Sequence, residues 1–293
     1  MDRKQPIGII VAIIGVTFIF FFIFIFLAVF WSHEERDLWA KDKIAVIKVE
    51  GIILSSEGVV KEIYKIKNMD SIKAVVLRLN SPGGGVVPSQ EIYEEIMKVK
   101  RTKKIVASLG SIATSGAYYI ASATHKIVAN PGTITGSVGV IVESTNIEGL
   151  LKKIGVRSTV YKSAEYKDLL SPLRPASSEE KKIIQEILDN IHQQFVEAVS
   201  KGRGLDKEYV AKLANGRIFS GQQAKELNLI DELGDFKSAV NLAAKMAGIK
   251  GEPHLIYPAK KVFSLKDIFE NIVQLSEKLI KNLNYNKFYL LPF

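Results

Sequence analysis

We predict an α/β fold with a mainly parallel sheet, on three observations. Four short runs rich in valine and isoleucine have the length and composition of strands. Segments with apolar residues at helical spacing, such as Val59–Ile66, lie between them. Two glycine-rich turns, at 81–85 and 110–116, directly follow the second and third runs. This alternation favours βαβ units with right-handed crossovers. The predicted strands are Ile44–Val49, Ala74–Leu79, Ile105–Ser108 and Lys126–Ala129.

The remaining elements follow from capping and periodicity. Ser89 is predicted to cap a helix that runs to Val99, and the segment 154–161 is predicted to form another strand. Ser177 and Glu180 have the spacing of a capping box, which predicts a long helix that stops at Gly202. The apolar stripe of this helix indicates core or oligomer packing, and we assign no catalytic role to His192 on that helix. Shorter helices are predicted at 205–213, 221–227 and 236–247.

A run of 25 uncharged residues, Ile7–Trp31, is long enough to cross a hydrocarbon core of about 30 Å as a helix. A signal peptide usually has a shorter apolar region, of about 7–15 residues, so we predict an uncleaved single-pass anchor. Arg3 and Lys4 precede it, which predicts a cytoplasmic N-terminus and an extracytoplasmic domain at the cell membrane. The predicted division is N-terminus 1–6, anchor 7–31, linker 32–43, globular domain 44–250 and an extension 251–293 that contains an amphipathic helix.

The composition excludes several classes of function. The sequence has no cysteine, which removes disulfides and thiol catalysis. Its 4 histidines show no metal-ligand spacing, so we predict no metal and no cofactor. The net charge of +9 comes from dispersed lysines without a nucleic-acid motif, so we predict no nucleic-acid partner and favour attraction to an anionic membrane.

The stretch GSIATSGAYYIASA, residues 110–123, contains the strongest candidate for chemistry. Ser115 lies where a small-residue turn opens a helix, a position that suits a nucleophile with backbone N–H groups around it. The alternative from the residues alone is that Ser115 only caps a helix packed closely on a sheet. The turn at Gly83–Gly85 could likewise hold an oxyanion or be an ordinary strand-to-helix turn. Lys167, beside Glu165 and Asp168, fits a solvated surface charge.

Five short motifs follow the apolar run in one order, and together they are specific. They are Asn80-Ser-Pro-Gly-Gly84, Ser111-Ile-Ala-Thr-Ser-Gly116, Thr135-Gly-Ser-Val-Gly139, Tyr166-Lys-Asp168 and Gly216-Arg-Ile-Phe-Ser-Gly221. With the anchor, this set resembles the short bacterial and archaeal form of signal peptide peptidase A, a membrane-bound serine protease of the Clp/crotonase fold superfamily. The resemblance covers residues 40–247 and not the last forty. It implies repeated ββα units after one transmembrane helix.

The resemblance implies a serine–lysine dyad in which Ser115 is the nucleophile and Lys167 is the general base. Ser137 is implied to orient the lysine, and backbone N–H groups of Gly83 or Gly84 and of Gly116 are implied to form the oxyanion hole. A lysine can act as a base near neutral pH only if burial lowers its pKa from about 10.4. The related Clp proteases use a histidine about 25 residues after the serine. This region reads Gly-Val-Ile at 139–141, which favours the lysine version.

The chain carries one copy of each motif, whereas the doubled forms of the family place the motifs of one site in different halves. The resemblance therefore implies a homo-oligomeric ring whose sites are completed between subunits. The implied substrates are extended apolar peptides such as released signal peptides, with small or aliphatic residues at the cleavage position. Two alternatives remain open: a catalytically silent anchored scaffold and, disfavoured by the anchor and the serine–lysine pair, a crotonase-type thioester enzyme.

Overall fold

The computed structural model describes residues 42–257 and, near the N-terminus, residue 15 and residues 17–25. The N-terminal residues described are helical, and within all the described ranges no helix combines the length and apolar character needed to cross a bilayer. Most of the predicted anchor and the whole predicted amphipathic helix from Ser264 lie outside the described residues. The chain divides into a unit that ends at Ile256 and a second that begins at Tyr257, of which only Tyr257 is described.

One eight-stranded sheet organises the part of the chain that the structure describes. Its order is β6-β5-β3-β2-β1-β8, and β4 pairs with both β3 and β7. All pairs are parallel except β5 with β6, which confirms the predicted α/β class with a mainly parallel sheet. The strands are β1 (Lys43–Glu50), β2 (Ile72–Ser81), β3 (Lys104–Thr114), β4 (Lys126–Ala129), β5 (Ile134–Gly136), β6 (Ile218–Ser220), β7 (Glu232–Leu233) and β8 (His254–Ile256).

Helices cover both faces of the sheet because its strands bury alternate residues on opposite sides. Ile44 and Val46 of β1 pack with the last helix, whereas Ala45 and Ile47 belong to the larger core on the other face. The helices of the domain are α1 (Glu57–Lys67), α2 (Val86–Val99), α3 (Gly116–Ser122), α4 (Glu148–Lys153), α5 (Ser178–Arg203), α6 (Lys207–Leu213), α7 (Gly221–Glu226) and α8 (Phe236–Ala247).

Helix α5 begins as predicted and ends later than predicted. The capping box is confirmed, because Ser177 Oγ accepts from the Glu180 N–H at 3.1 Å and the Glu180 carboxylate accepts from the Ser177 N–H at 2.7 Å. Gly202 does not stop the helix. It permits close packing instead, since a Cβ there would lie 2.1 Å from the Ser122 carbonyl oxygen. Gly204, with φ +65°, supplies the left-handed residue that ends the helix.

Three other local predictions were wrong. Helix α2 follows Gly85, so Ser89 lies inside the helix and its Oγ donates to the Gly85 carbonyl oxygen at 2.9 Å. The stretch 110–114 continues β3 because it pairs with Ser81 on one side and with β5 on the other. The predicted strand at 154–161 is absent. These residues are exposed and no neighbouring strand pairs with them, so neither burial nor a hydrogen-bond ladder favours extended structure there.

Candidate active site

Ser115 lies in the turn between β3 and α3, in a backbone conformation that few side chains adopt. Its φ is 51° and its ψ is −123°, outside the regions that non-glycine residues normally occupy. Its N–H donates to the Gly136 carbonyl oxygen at 2.9 Å, and its carbonyl oxygen accepts from the Tyr119 N–H at 2.9 Å. Strained residues of this kind persist only where surrounding bonds hold them, and they are common at nucleophiles.

Gly83 packs directly against the Ser115 turn. With φ +103°, a Cβ at this position would lie 2.9 Å from both the Ser115 Cβ and the Gly116 nitrogen. Its N–H donates to Ser81 Oγ at 3.0 Å, and its carbonyl oxygen accepts from the Ile53 N–H at 2.9 Å. Of the three glycines predicted for an oxyanion hole, Gly83 therefore has its N–H already engaged, and it shapes the site by its lack of a side chain.

The N–H groups of Gly84 and Gly116 remain available beside Ser115. Gly84 forms a parallel bridge with Ile53, and a Cβ on Gly84 would lie 2.3 Å from the Ile53 carbonyl oxygen. The Gly84 nitrogen lies 3.4 Å from the position that a Cβ on Gly116 would take. Neither N–H has an assigned acceptor among the described residues. Two such neighbouring donors can stabilise an oxyanion.

A groove of about 710 Å³ runs past Ser115. Ser137 and Gly139 also line it, and polar residues of α5 form part of its wall. His192 is one of these, with its Nε2 2.8 Å from the Ala214 carbonyl oxygen. The helical spacing of residues 185, 189 and 192 is the sequence signal that could have revealed this polar wall. The prediction of core or oligomer packing for α5 did not anticipate it.

A smaller cavity of about 30 Å³ opens beside the serine. Ser115 and Gly116 line its mouth, while Tyr119 and Phe195 contribute aromatic surface. The two rings pack with their centroids 4.9 Å apart. Such a cavity accepts a small apolar side chain.

Ser137 reaches the same groove through a second unusual backbone conformation, with φ 53°. Its N–H donates to the carbonyl oxygen of Arg217, the residue directly before β6, at 2.8 Å. The preceding Gly136 has φ +83°, and a Cβ there would lie 2.5 Å from the Phe219 ring. The β5–β6 pair thus holds Ser137 on the groove that contains Ser115.

Lys167, the predicted general base, does not line this groove. It lies in the exposed segment 163–171, where its N–H donates to the Ala164 carbonyl oxygen at 3.2 Å. No hydrogen bond joins Lys167 to Ser115 within the described chain, and Lys167 is not among the residues lining the 710 Å³ groove. The groove in the described chain is thus lined by Ser115, Ser137 and Gly84, without Lys167.

The residue after the lysine, Asp168, accepts hydrogen bonds from two cations. Arg174 donates to its carboxylate at 2.8 and 2.9 Å, and Lys162 donates at 2.7 Å. These contacts, those of Arg174 first, hold the pKa of the Asp168 carboxyl well below its usual range. Arg174 also binds Glu180, and this contact together with the Ser177 N–H lowers the pKa of Glu180 to about 2. Arg174 is not among the site residues predicted from the sequence.

A serine on a strained turn, at the carboxyl end of a parallel strand and beside unpaired N–H groups, defines a serine peptidase with a Clp-like fold. Comparisons with known proteins agree. The family model for Clp protease matches residues 38–134, and the model for peptidase family S49 matches residues 97–250. The chain belongs to peptidase family S49 and is of the SppA type, as the resemblance predicted.

Two relatives illustrate this membership. A protein of Synechocystis sp. provisionally named a protease is 47% identical over 212 residues, which is 71% of this chain and 76% of the relative. An Enterococcus faecium protein provisionally named signal peptide peptidase SppA is 38% identical over 217 residues, 69% of this chain and 63% of the relative. Among solved structures, a mutant of the membrane-bound stomatin-specific protease 1510-N superposes with a TM-score of 0.52 at 13% identity, over 76% of this chain and 100% of that one. This last likeness concerns the fold alone.

Proposed function

We propose that the protein is a membrane-anchored serine endopeptidase that uses Ser115 as nucleophile and Lys167 as general base. The observation that carries the proposal is that Ser115, Ser137 and Gly84 line one groove, with the N–H groups of Gly84 and Gly116 beside the serine. A hydroxyl alone is a weak nucleophile, so a general base must take its proton, and in this proposal that base is the unprotonated amine of Lys167.

The chemistry follows from these groups. The Lys167 amine takes the Ser115 hydroxyl proton while Oγ bonds to the peptide carbonyl carbon. The carbonyl oxygen, now negatively charged, accepts from Gly84 and Gly116. Loss of one such donor commonly costs ~3 kcal/mol or more of transition-state stabilisation. The C–N bond then breaks, and the leaving amine takes the proton from the lysine. Water attacks the acyl-enzyme in the same way, with Lys167 again as base, and restores the serine.

We further propose that the lysine comes from a neighbouring subunit of a homo-oligomer. This accounts for the position of Lys167 away from Ser115 in one chain. It also accounts for the many exposed apolar side chains just before the lysine segment, since solvent-exposed apolar clusters of this kind commonly mark interfaces. These exposed residues are Ile141, Val142, Leu150, Ile154, Val156, Val160 and Tyr161.

The proposed substrates are extended apolar peptides such as released signal peptides, with a small residue entering the 30 Å³ cavity beside Ser115. The run Ile7–Trp31 would anchor the enzyme in the cell membrane, near the source of such peptides.

Mixing two inactive variants tests the whole proposal. Ser115→Ala and Lys167→Ala proteins, each inactive alone, should regain part of the peptidase activity after co-assembly, because some interfaces then join an intact serine to an intact lysine. If both are inactive and the mixture stays inactive, the dyad lies within one subunit. If Lys167→Ala cleaves peptide at the wild-type rate, the lysine is not the base.

Fluorophosphonate labelling separates the peptidase from the alternative, an anchored scaffold without turnover. The scaffold is a second candidate because Lys167 does not line the groove beside Ser115 in one chain. A label on wild-type protein that is lost in Ser115→Ala supports the enzyme. Equal labelling of both proteins would support the scaffold.

A further inference from the structure

Arg174 is the most fully bonded charged side chain in the segment that leads into α5. A guanidinium has five N–H donors, and each has a partner here. Nε and Nη2 each donate a hydrogen bond to the Asp168 carboxylate, at 2.8 and 2.9 Å. Nη1 donates to Glu180 at 2.8 Å and to the Pro175 carbonyl oxygen at 3.1 Å, and Nη2 also donates to Glu180. A planar fork with this geometry fixes its partners in direction as well as distance.

The two partners of Arg174 belong to different elements. Glu180 is buried in the first turn of α5, where it completes the capping box with Ser177. Asp168 lies in a tight sequence of turns, closed by the bond from the Ser171 N–H to the Asp168 carbonyl oxygen at 2.9 Å. Arg174 thus connects the turn that contains Lys167 to the fixed end of a 26-residue helix.

The same contacts pair the carboxylate of Asp168, the residue next to Lys167 in the chain, with two cations. The charged groups around this turn are Lys162, Glu165, Asp168, Arg174 and, on the first turn of α5, Glu179 and Glu180. Asp168 and Glu180 are each paired with a cation, whereas the Lys167 side chain has no ion pair among the described residues. An unpaired carboxylate next to an amine would favour its protonated form, which cannot act as a base.

We infer that Arg174 is a positioning residue: through Asp168 it holds the turn of Lys167 on the N-terminus of α5, and it withholds the Asp168 charge from the lysine amine. This inference rests on the proposed role of Lys167 as general base. All five N–H donors of Arg174 are engaged by acceptors of its own chain, so it acts through these neighbours.

The test uses the full-length protein and substitutions at Arg174. In Arg174→Gln, we expect the amides of residues 164–171 to exchange hydrogen about tenfold faster, since the turn loses its anchor. We expect kcat to fall while KM changes little. The midpoint of the pH–activity profile should move about 0.5 unit toward alkaline pH, because Asp168 then has one cation fewer. Arg174→Lys, which keeps the charge and loses the fork, should show the faster exchange without the pH shift.

Two further variants make the result specific. Arg101→Gln is the matched control, since Arg101 is exposed, lies outside the proposed interface and has no ion pair among the described residues; it should leave both readouts unchanged. Adding Asp168→Asn to Arg174→Gln should return the pH midpoint toward the wild-type value and leave the exchange fast. An Arg174→Gln protein whose exchange and pH midpoint equal those of the wild type and of Arg101→Gln would overturn the inference. If instead Lys167→Ala is fully active, the proposed base is wrong, and the exchange data still decide whether Arg174 holds the turn.

Discussion

Gly83 and Ser115 are so close that an alanine Cβ at position 83 would lie 2.9 Å from the Ser115 Cβ. The same Cβ would lie 2.9 Å from the Gly116 nitrogen and 3.0 Å from the Thr114 carbonyl oxygen, so three backbone or near-backbone groups would have to move. The serine turn and the glycine turn are therefore one packed unit, built from the carboxyl ends of β2 and β3.

This contact predicts the effect of Gly83→Ala. Both the positive φ and the close contacts oppose a side chain, so we expect a folded protein in which fluorophosphonate labelling of Ser115 falls at least about tenfold, as a displaced oxyanion donor would produce. The control is Gly58→Ala, at a helix position where a Cβ meets no atom within 4 Å. That variant should label normally, and equal labelling of both variants would contradict the prediction.

The strained backbone of Ser115 predicts a difference between two inactive variants. Both Ser115→Ala and Ser115→Gly lack the hydroxyl, but only glycine adopts φ 51° and ψ −123° at low cost. We expect the free energy of unfolding of Ser115→Gly to exceed that of Ser115→Ala by about 1 kcal/mol in urea titrations.

Ser111 provides the control for that comparison, since it is exposed, lies within β3 and does not have a positive φ. There the order should reverse, with Ser111→Ala the more stable of the pair. If the alanine variant has the higher free energy of unfolding at both positions, the backbone of Ser115 is not strained.

The aromatic lining of the small cavity predicts its selectivity. Phe195→Leu removes ring atoms beside Ser115, so the ratio of kcat/KM for a peptide with leucine before the scissile bond to that for its alanine counterpart should rise about tenfold. Phe236→Leu makes the same substitution on the opposite face of the sheet and should leave the ratio unchanged. A ratio that responds equally to both substitutions would place the binding cavity elsewhere.

His125 predicts how stability depends on pH. Burial, with smaller contributions from Lys100 and Lys104, lowers its pKa from 6.5 to about 4, and its Nδ1 accepts from the Ile105 N–H at 3.1 Å. The unfolded chain therefore binds the proton more readily than the folded one. The contribution to stability is complete above about pH 6.5 and is lost as the pH falls toward 4.

His125→Asn, whose side-chain oxygen can also accept from the Ile105 N–H, should flatten this dependence. Thermal unfolding of both proteins between pH 4 and pH 8 measures it. A melting temperature that falls equally in both proteins below pH 6.5 would assign the acid sensitivity to other groups.

The features fixed by local chemistry were those that the sequence predicted best. The Val- and Ile-rich strands, the capping box at Ser177 and the position of Ser115 between β3 and α3 were all predicted, because each depends on residues within a few positions of one another. The predicted end of α5 was wrong because Gly202 is required for close packing against Ser122, which lies eighty residues earlier in the chain. The hydrogen bond from the Gly83 N–H to Ser81 Oγ also depends on the exact conformation of the turn at 81–85, which its glycine-rich sequence does not specify.

The distance between Lys167 and Ser115 could not be predicted from local sequence, for a different reason. Their motifs carry the resemblance to the family, but the distance between two loops depends on how segment 139–171 is placed, and its exposed apolar residues have no partner in the core. The pairing of Arg174 with Asp168 and Glu180 was accessible in principle, since a cation and two carboxylates lie within twelve positions of each other.

The two unusual serines share one support. Ser115 donates its N–H to the Gly136 carbonyl oxygen, and Ser137, the residue after Gly136, donates its N–H to the carbonyl oxygen of Arg217, directly before β6. The antiparallel pair β5–β6 therefore supports the backbone of both serines. Because β6 lies at the end of the sheet and far along the chain from either serine, a substitution at Phe219, which packs against Gly136, should displace both serines together while leaving their own sequence motifs intact.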